Sequence, residues 1–114
     1  MIRGKIVLVP FPFDDLSSAK VRPAVCLTEP IGPHRHAILA FLTSQIPSDV
    51  HETDVVLDSG QPDFAGTGLN VASAIRLHGL ITIATSLIRR ELGALSPRIQ
   101  AEVDNKLRNL FNLE

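Results

Sequence analysis

Hydrophobic residues fall in short runs along most of the chain and switch to a helical spacing only near its end. Residues 6–13 are apolar at nearly every position, interrupted by Pro10 and Pro12, which predicts a strand covered on both faces and bent by its prolines. Residues 14–19 form a polar loop, and residues 20–29 a second strand. Alternation places Val21, Val25 and Leu27 on one face of that strand and Arg22, Ala24, Cys26 and Thr28 on the other, which turns Arg22 away from the aliphatic side. After a turn at residues 30–33, a third strand covers residues 35–44. Residues 45–53 are loop, residues 54–57 a short fourth strand, and residues 58–69 a glycine-rich connection. Residues 70–84 read as one bent strand or two successive ones broken at Gly79, with Ile75 and Leu77 facing one way and Arg76 and His78 the other. Residues 85–95 fit either a helical turn or a short strand ending at Gly93.

The helical spacing comes last. Ser96 is a natural N-cap with Pro97 at the first helical position, and Ile99, Val103, Leu107 and Leu110 then recur at intervals of four, four and three. Five or six short strands followed by one amphipathic helix predict a mainly β fold: a small, strongly bent antiparallel barrel with a C-terminal helix. With 114 residues, 45% of them hydrophobic, the chain is expected to form one domain, residues 1–114, with a core that needs no metal or disulfide.

Composition narrows the setting. The one cysteine, Cys26, lies inside an apolar run, so no intrachain disulfide can form and a reducing cytoplasm is the expected location. Two basic residues precede the first apolar run, as in a secretion signal, but Pro10 and Pro12 interrupt the run and Asp14-Asp15 follow it. No stretch approaches the length of a membrane span. A net charge of −1 gives no global pull toward nucleic acid. The distribution is more telling: no lysine or arginine lies between Arg35 and Arg76, so the basic residues sit toward the two ends of the chain.

Arg22-Pro23 is the pair on which the chemistry centres. A residue before proline is driven into extended geometry, so the guanidinium leaves the strand in a nearly fixed direction, and Pro23, lacking an N–H, suits a sheet edge or a bulge. Arg76 and His78 emerge from one face of an apolar strand, and a histidine there can accept a proton near neutral pH. Thr43-Ser44 ends the third strand with two hydroxyls, a sequence that also closes strands through local backbone bonding. Gly66-Thr67-Gly68 lacks the third glycine and the following helix of a phosphate loop and reads as a turn. His34 and His36 project to one side of a strand start, without the cysteine or carboxylate partners of a metal site.

Taken in order, Arg3-Gly4-x-Ile6-Val7-Leu8-Val9-x-Phe11-Pro12-Phe13, Lys20-Val21-Arg22-Pro23-Ala24-Val25, Phe41-Leu42-Thr43-Ser44, Gly68-Leu69, Ser73-Ala74-Ile75-Arg76 and Leu92-Gly93-x-Leu95-Ser96 resemble the PemK/MazF family of toxin endoribonucleases from type II toxin–antitoxin pairs. The resemblance spans nearly the whole chain. It implies an SH3-like barrel, a homodimer, and cofactor-free, metal-independent cleavage of single-stranded RNA by 2′-hydroxyl attack, leaving 2′,3′-cyclic phosphate and 5′-hydroxyl ends. It also implies a cognate antitoxin covering the RNA groove, with operator DNA bound only through that antitoxin, and no membrane association. The family's active-site arginine and threonine fall on Arg22 and Thr43, and a further arginine used by some members falls on Arg76. His78 stands where some members carry an acidic base, and is the candidate base here. Ser44, Lys20 and Gly4 are the expected substrate-binding positions, while Lys5 stands where the family often has an acidic residue and is given no role. Two alternatives stay open at this point. One is a same-barrel toxin acting on a protein such as DNA gyrase, as CcdB-like relatives do. The other is a catalytically degenerate member kept for antitoxin binding and repression.

Overall fold

The computed structural model describes residues 1–11 and 20–113. It contains six strands, β1 (Lys5–Pro10), β2 (Val21–Cys26), β3 (His36–Thr43), β4 (Asp54–Leu57), β5 (Ser73–Ala84) and β6 (Arg90–Ala94), and one α-helix, α1 (Pro97–Leu110). Single 3₁₀ turns lie at Ala65–Thr67 and Thr85–Leu87. Every paired neighbour is antiparallel, and the strands form one curled, half-barrel sheet in the order β4-β5-β3-β2-β1-β6. The mainly β architecture with a terminal helix is therefore the one expected. The end of the predicted first strand, at Pro12 and Phe13, and the predicted loop at residues 14–19 lie outside the described residues.

Curvature comes from extra residues in the ladders. On β3, Ala40 pairs with Leu80 while Leu42 pairs with Ile75, so one residue, Phe41, faces four on β5, Arg76 to Gly79. That is the break expected at Gly79. It lets the first part of β5 pair with β4 and the second part with β3 alone. A second irregularity falls between Ile6 and Val7, where β1 meets β6. Such bulges add twist and let a sheet curl on itself.

Both faces of the sheet carry buried apolar side chains, in two separate clusters. Ile6, Val25, Leu42, Ile75 and Leu77 belong to the first, which Ile99 and Val103 of α1 complete. Val7, Val9, Ala24, Cys26 and Leu39 belong to the second, along with Ala37 and Ile83. Two expectations change as a result. The face of β2 that carries Arg22 is not a polar face, because Ala24 and Cys26 beside it are fully buried; Arg22 stands at the rim of the second cluster. Pro23 is not on a sheet edge either, since β2 lies between β1 and β3. Its missing N–H is accommodated differently: the ladder to β3 runs only from Ala24 to Cys26 and stops at Pro23, which cannot donate to extend it.

The helix begins as its sequence predicts. Ser96 is extended, its hydroxyl oxygen accepts from Ile99 N at 3.2 Å, and Pro97 fills the first turn. Ser96 Oγ also donates to Asp63 Oδ2 at 2.7 Å, and Arg98 grips the same carboxylate through Nε (3.1 Å) and Nη2 (3.0 Å). These contacts, that of Arg98 first, lower the Asp63 carboxyl below its ordinary value. The connection containing Asp63 is thereby latched to the start of α1.

Candidate functional site

Because the β2–β3 ladder stops at Ala24, the strand ends beyond it leave a hollow of about 410 Å³. Leu8, Pro23, Leu42 and Leu92 form its apolar wall. Arg22, Arg90, Ser44, Ser73 and Asn70 supply its polar groups, and the backbone at Gly68 closes one side. Gly68 has φ +74° and lies so close to the Leu92 carbonyl that a side chain there would collide with it. This close approach sets the loop against β6.

Arg22 is exposed, and its guanidinium carbon sits 4.8 Å from the centroid of the Phe11 ring. Phe11 in turn meets Phe41 edge to face, with centroids 5.0 Å apart. A cation over an exposed aromatic face gains about 0.5–1 kcal/mol, which suffices to bias a rotamer. Arg90 reaches the hollow from the other side of β1, where Leu8 pairs with both Pro23 and Arg90. Among the described residues, no carboxylate lies within ion-pair distance of either arginine; Glu91, beside Arg90, is bound to Lys5 at 3.2 Å. Arg22 and Arg90, both without a carboxylate partner among the described residues, make this hollow a place for an anion.

The other predicted residues fall at several places. Ser44 lines the hollow with Arg22. Thr43 does not line it; it ends β3, beyond the last β2–β3 pair, Ala24↔Phe41. The Thr43 hydroxyl oxygen accepts locally from Gln45 N at 3.1 Å. Arg76 and His78 lie further along β5. Arg76 Nε is 2.8 Å from Oδ1 of Asp54, which is fully buried; the N–H is not aligned with the contact, so the pair is electrostatic rather than a well-formed hydrogen bond. His78 Nδ1 lies 3.0 Å from Thr53 Oγ1, and its ring meets that of His51 at a centroid distance of 5.8 Å. Lys20 is exposed just ahead of β2, and its carbonyl accepts from Phe11 N at 3.1 Å. Gly4 is elsewhere. It is buried at the opposite end of the β1–β2 ladder, with φ +87°, donating to the Cys26 carbonyl at 2.8 Å.

Arg90, Asn70, Ser73 and Asp54 were not singled out from the sequence. The alternation of Arg90 with Leu92 was the available signal, but the segment was too short to settle between helical turn and strand. No group of three or more His, Cys, Asp and Glu among the described residues could hold a metal ion. Burial pushes the Cys26 thiol up to about 11, aided by Glu29 and Glu91, which makes it a packing residue rather than a nucleophile.

A family model described as PemK-like, MazF-like toxin of type II toxin-antitoxin system matches residues 2–111. The chain belongs to that family. As a MazF-like toxin it shares its fold with solved relatives at low sequence identity. It is 21% identical to the Mycobacterium tuberculosis toxin MazF-mt6, with a TM-score of 0.71 over 96% of this chain and 98% of that one. It is 18% identical to a chain of the MazE-MazF structure (Form-II) from Deinococcus radiodurans, with a TM-score of 0.71 over 100% and 97%. A third similar structure is an endoribonuclease in complex with its cognate antitoxin from a mycobacterial species, at 16% identity, a TM-score of 0.69, and 100% and 97% coverage. No match was found among curated proteins. No helix among the described residues of this MazF-like toxin is long and apolar enough to cross a membrane.

Proposed function

We propose that this toxin is a metal-independent endoribonuclease that cuts single-stranded RNA, messenger RNA included, by attack of the 2′-hydroxyl on the adjacent phosphorus. The observation that carries the reading is Arg22, held on the Phe11 ring at the mouth of a hollow with no carboxylate to neutralise it among the described residues. In the reaction the P–O2′ bond forms, the P–O5′ bond breaks with O5′ taking a proton from solvent, and the products end in 2′,3′-cyclic phosphate and 5′-hydroxyl. Arg22 stays protonated throughout and stabilises the charge that builds on the phosphorane oxygens, presenting two N–H groups to them. Thr43 positions the scissile phosphate, with Ser44 beside it.

His78 is the proposed base. Its Nδ1 is engaged by Thr53; where that contact is donation to the Thr53 oxygen, Nε2 carries the lone pair that accepts the 2′-hydroxyl proton. Arg76 is proposed to help stabilise the same charge, its own charge being partly offset by the ion pair with Asp54. Lys20 contributes charge along the RNA path, and Gly4 shapes the β1 end from a distance. The working protein is proposed to be a cytoplasmic homodimer, silenced by a cognate antitoxin that covers the same groove and brings the pair to operator DNA. A similar structure that holds a cognate antitoxin supports the antitoxin partner.

Arg22→Ala decides the matter. The variant should fold normally, because the side chain is exposed, and should lose about a hundred- to a thousandfold in kcat. Cleavage by the wild type should survive a chelator, and DNA, which lacks the attacking hydroxyl, should resist it. An Arg22→Ala protein that cuts RNA at the wild-type rate overturns the assignment. A wild-type protein that leaves RNA intact but inhibits DNA gyrase would transfer the chain to the protein-binding class.

A further inference from the structure

The hollow carries a second arginine that the proposed reaction does not use. Arg90 sits on β6, two strands from Arg22 on β2, with β1 between them, a separation of about 10 Å at the level of the backbone. Both line the same hollow, together with the neutral donors Ser44, Ser73 and Asn70. Among the described residues Arg90 has no carboxylate partner, while the neighbouring Glu91 is taken up by Lys5. Two like charges facing one cavity repel each other and stay strongly hydrated unless an anion lies between or beside them. At about 410 Å³, the hollow falls within the size range of sites that hold a small-molecule group such as a nucleotide.

We infer that Arg90 is a phosphate-binding residue of the toxin, gripping the RNA backbone phosphate next to the one held by Arg22, so that the hollow takes one nucleotide of the substrate between two arginines. The inference rests on the RNA-cutting reading above and adds to it a residue and a place. Arg22 and Arg90 stand on opposite flanks of β1 with the apolar Leu8 between them, an arrangement that suits two successive phosphates. Arg90 is a binding residue in this scheme and takes no part in bond making.

The test is equilibrium binding of a short, single-stranded 2′-O-methyl RNA of mixed sequence, which cannot be cleaved, over a series of salt concentrations. Neutralising one phosphate of a single strand contributes about 0.7 to the slope of log K against log salt. Arg90→Ala should lower affinity by about tenfold or more and reduce the slope by about 0.7, whereas Arg90→Lys, which keeps the charge, should keep the slope. Arg22→Ala combined with Arg90→Ala should lose about 1.4 in slope if two phosphates are held. A double variant that loses no more than either single one would mean a shared phosphate and would overturn the inference. So would an unchanged slope in Arg90→Ala, or intact RNA binding with loss of antitoxin binding only. Wild-type protein that binds no RNA at all would remove the RNA-cutting reading along with this one, so the two failures are told apart by the wild-type curve.

Discussion

Arg22 and His78 are fixed by their neighbours in different ways, and the difference shows in what each can do. Pro23 keeps Arg22 extended and the Phe11 ring supports its guanidinium, so the charge is held at the hollow without being neutralised there among the described residues. His78 instead has one ring nitrogen engaged by Thr53 and its edge against His51. A base must be deprotonated to act, so kcat/KM should rise with pH along an acidic limb. His78→Ala should flatten that limb and lower the rate by about a hundred- to ten-thousandfold, read from a pH–rate profile on a defined RNA. An acidic limb that survives the substitution would remove His78 as the base. At this scale the sequence disclosed residue types and faces: Arg76 and His78 do leave the same side of β5, opposite the buried Ile75 and Leu77. Partners were hidden, because Asp54 meets Arg76 only through the β4–β5 register, which no local pattern specifies.

Elements whose signals are local were the most legible. The short strand β4 has the predicted limits, and α1 starts at Pro97 behind the Ser96 cap, since caps and turn residues act within a few positions of themselves. Strands β2 and β3 are shorter than their apolar runs because a strand ends where its partner does, and that is a property of the sheet. Residues 85–95 could not be read as one element because they hold two, a 3₁₀ turn and β6. The latch at the start of α1 carries its own prediction. Ser96→Ala should cost about 1 kcal/mol in urea unfolding, through loss of the cap. Asp63, whose carboxyl is lowered in the fold, binds fewer protons there than in the unfolded chain, so its stabilising share is complete above the ordinary carboxylate range and is lost as pH falls through the lowered value. The urea midpoints of wild type and Asp63→Asn should therefore differ by a constant amount above about pH 5 and converge in acid. A gap that stays constant down to pH 2 would show that the latch is not titrating.

On the scale of the whole molecule, one sheet serves two cores, and the single cysteine reports on one of them. Cys26 is fully buried among Val7, Ala24 and Leu39, and its thiol is pushed up to about 11. Thiol-reactive dye should therefore label the native protein at least about a thousandfold more slowly than the urea-unfolded chain, with a rate that follows opening of the sheet. Labelling at a comparable rate in both states would mean that the second core is open to water. The pairing of β1 with β6, from opposite ends of the sequence, has a consequence in time. Arg90 joins Arg22 only when β6 closes onto β1, a pairing of segments distant in sequence, so a partly folded chain carries half of the proposed substrate grip until that contact forms. A protein proposed to destroy messages would thus hold them weakly until its sheet has closed.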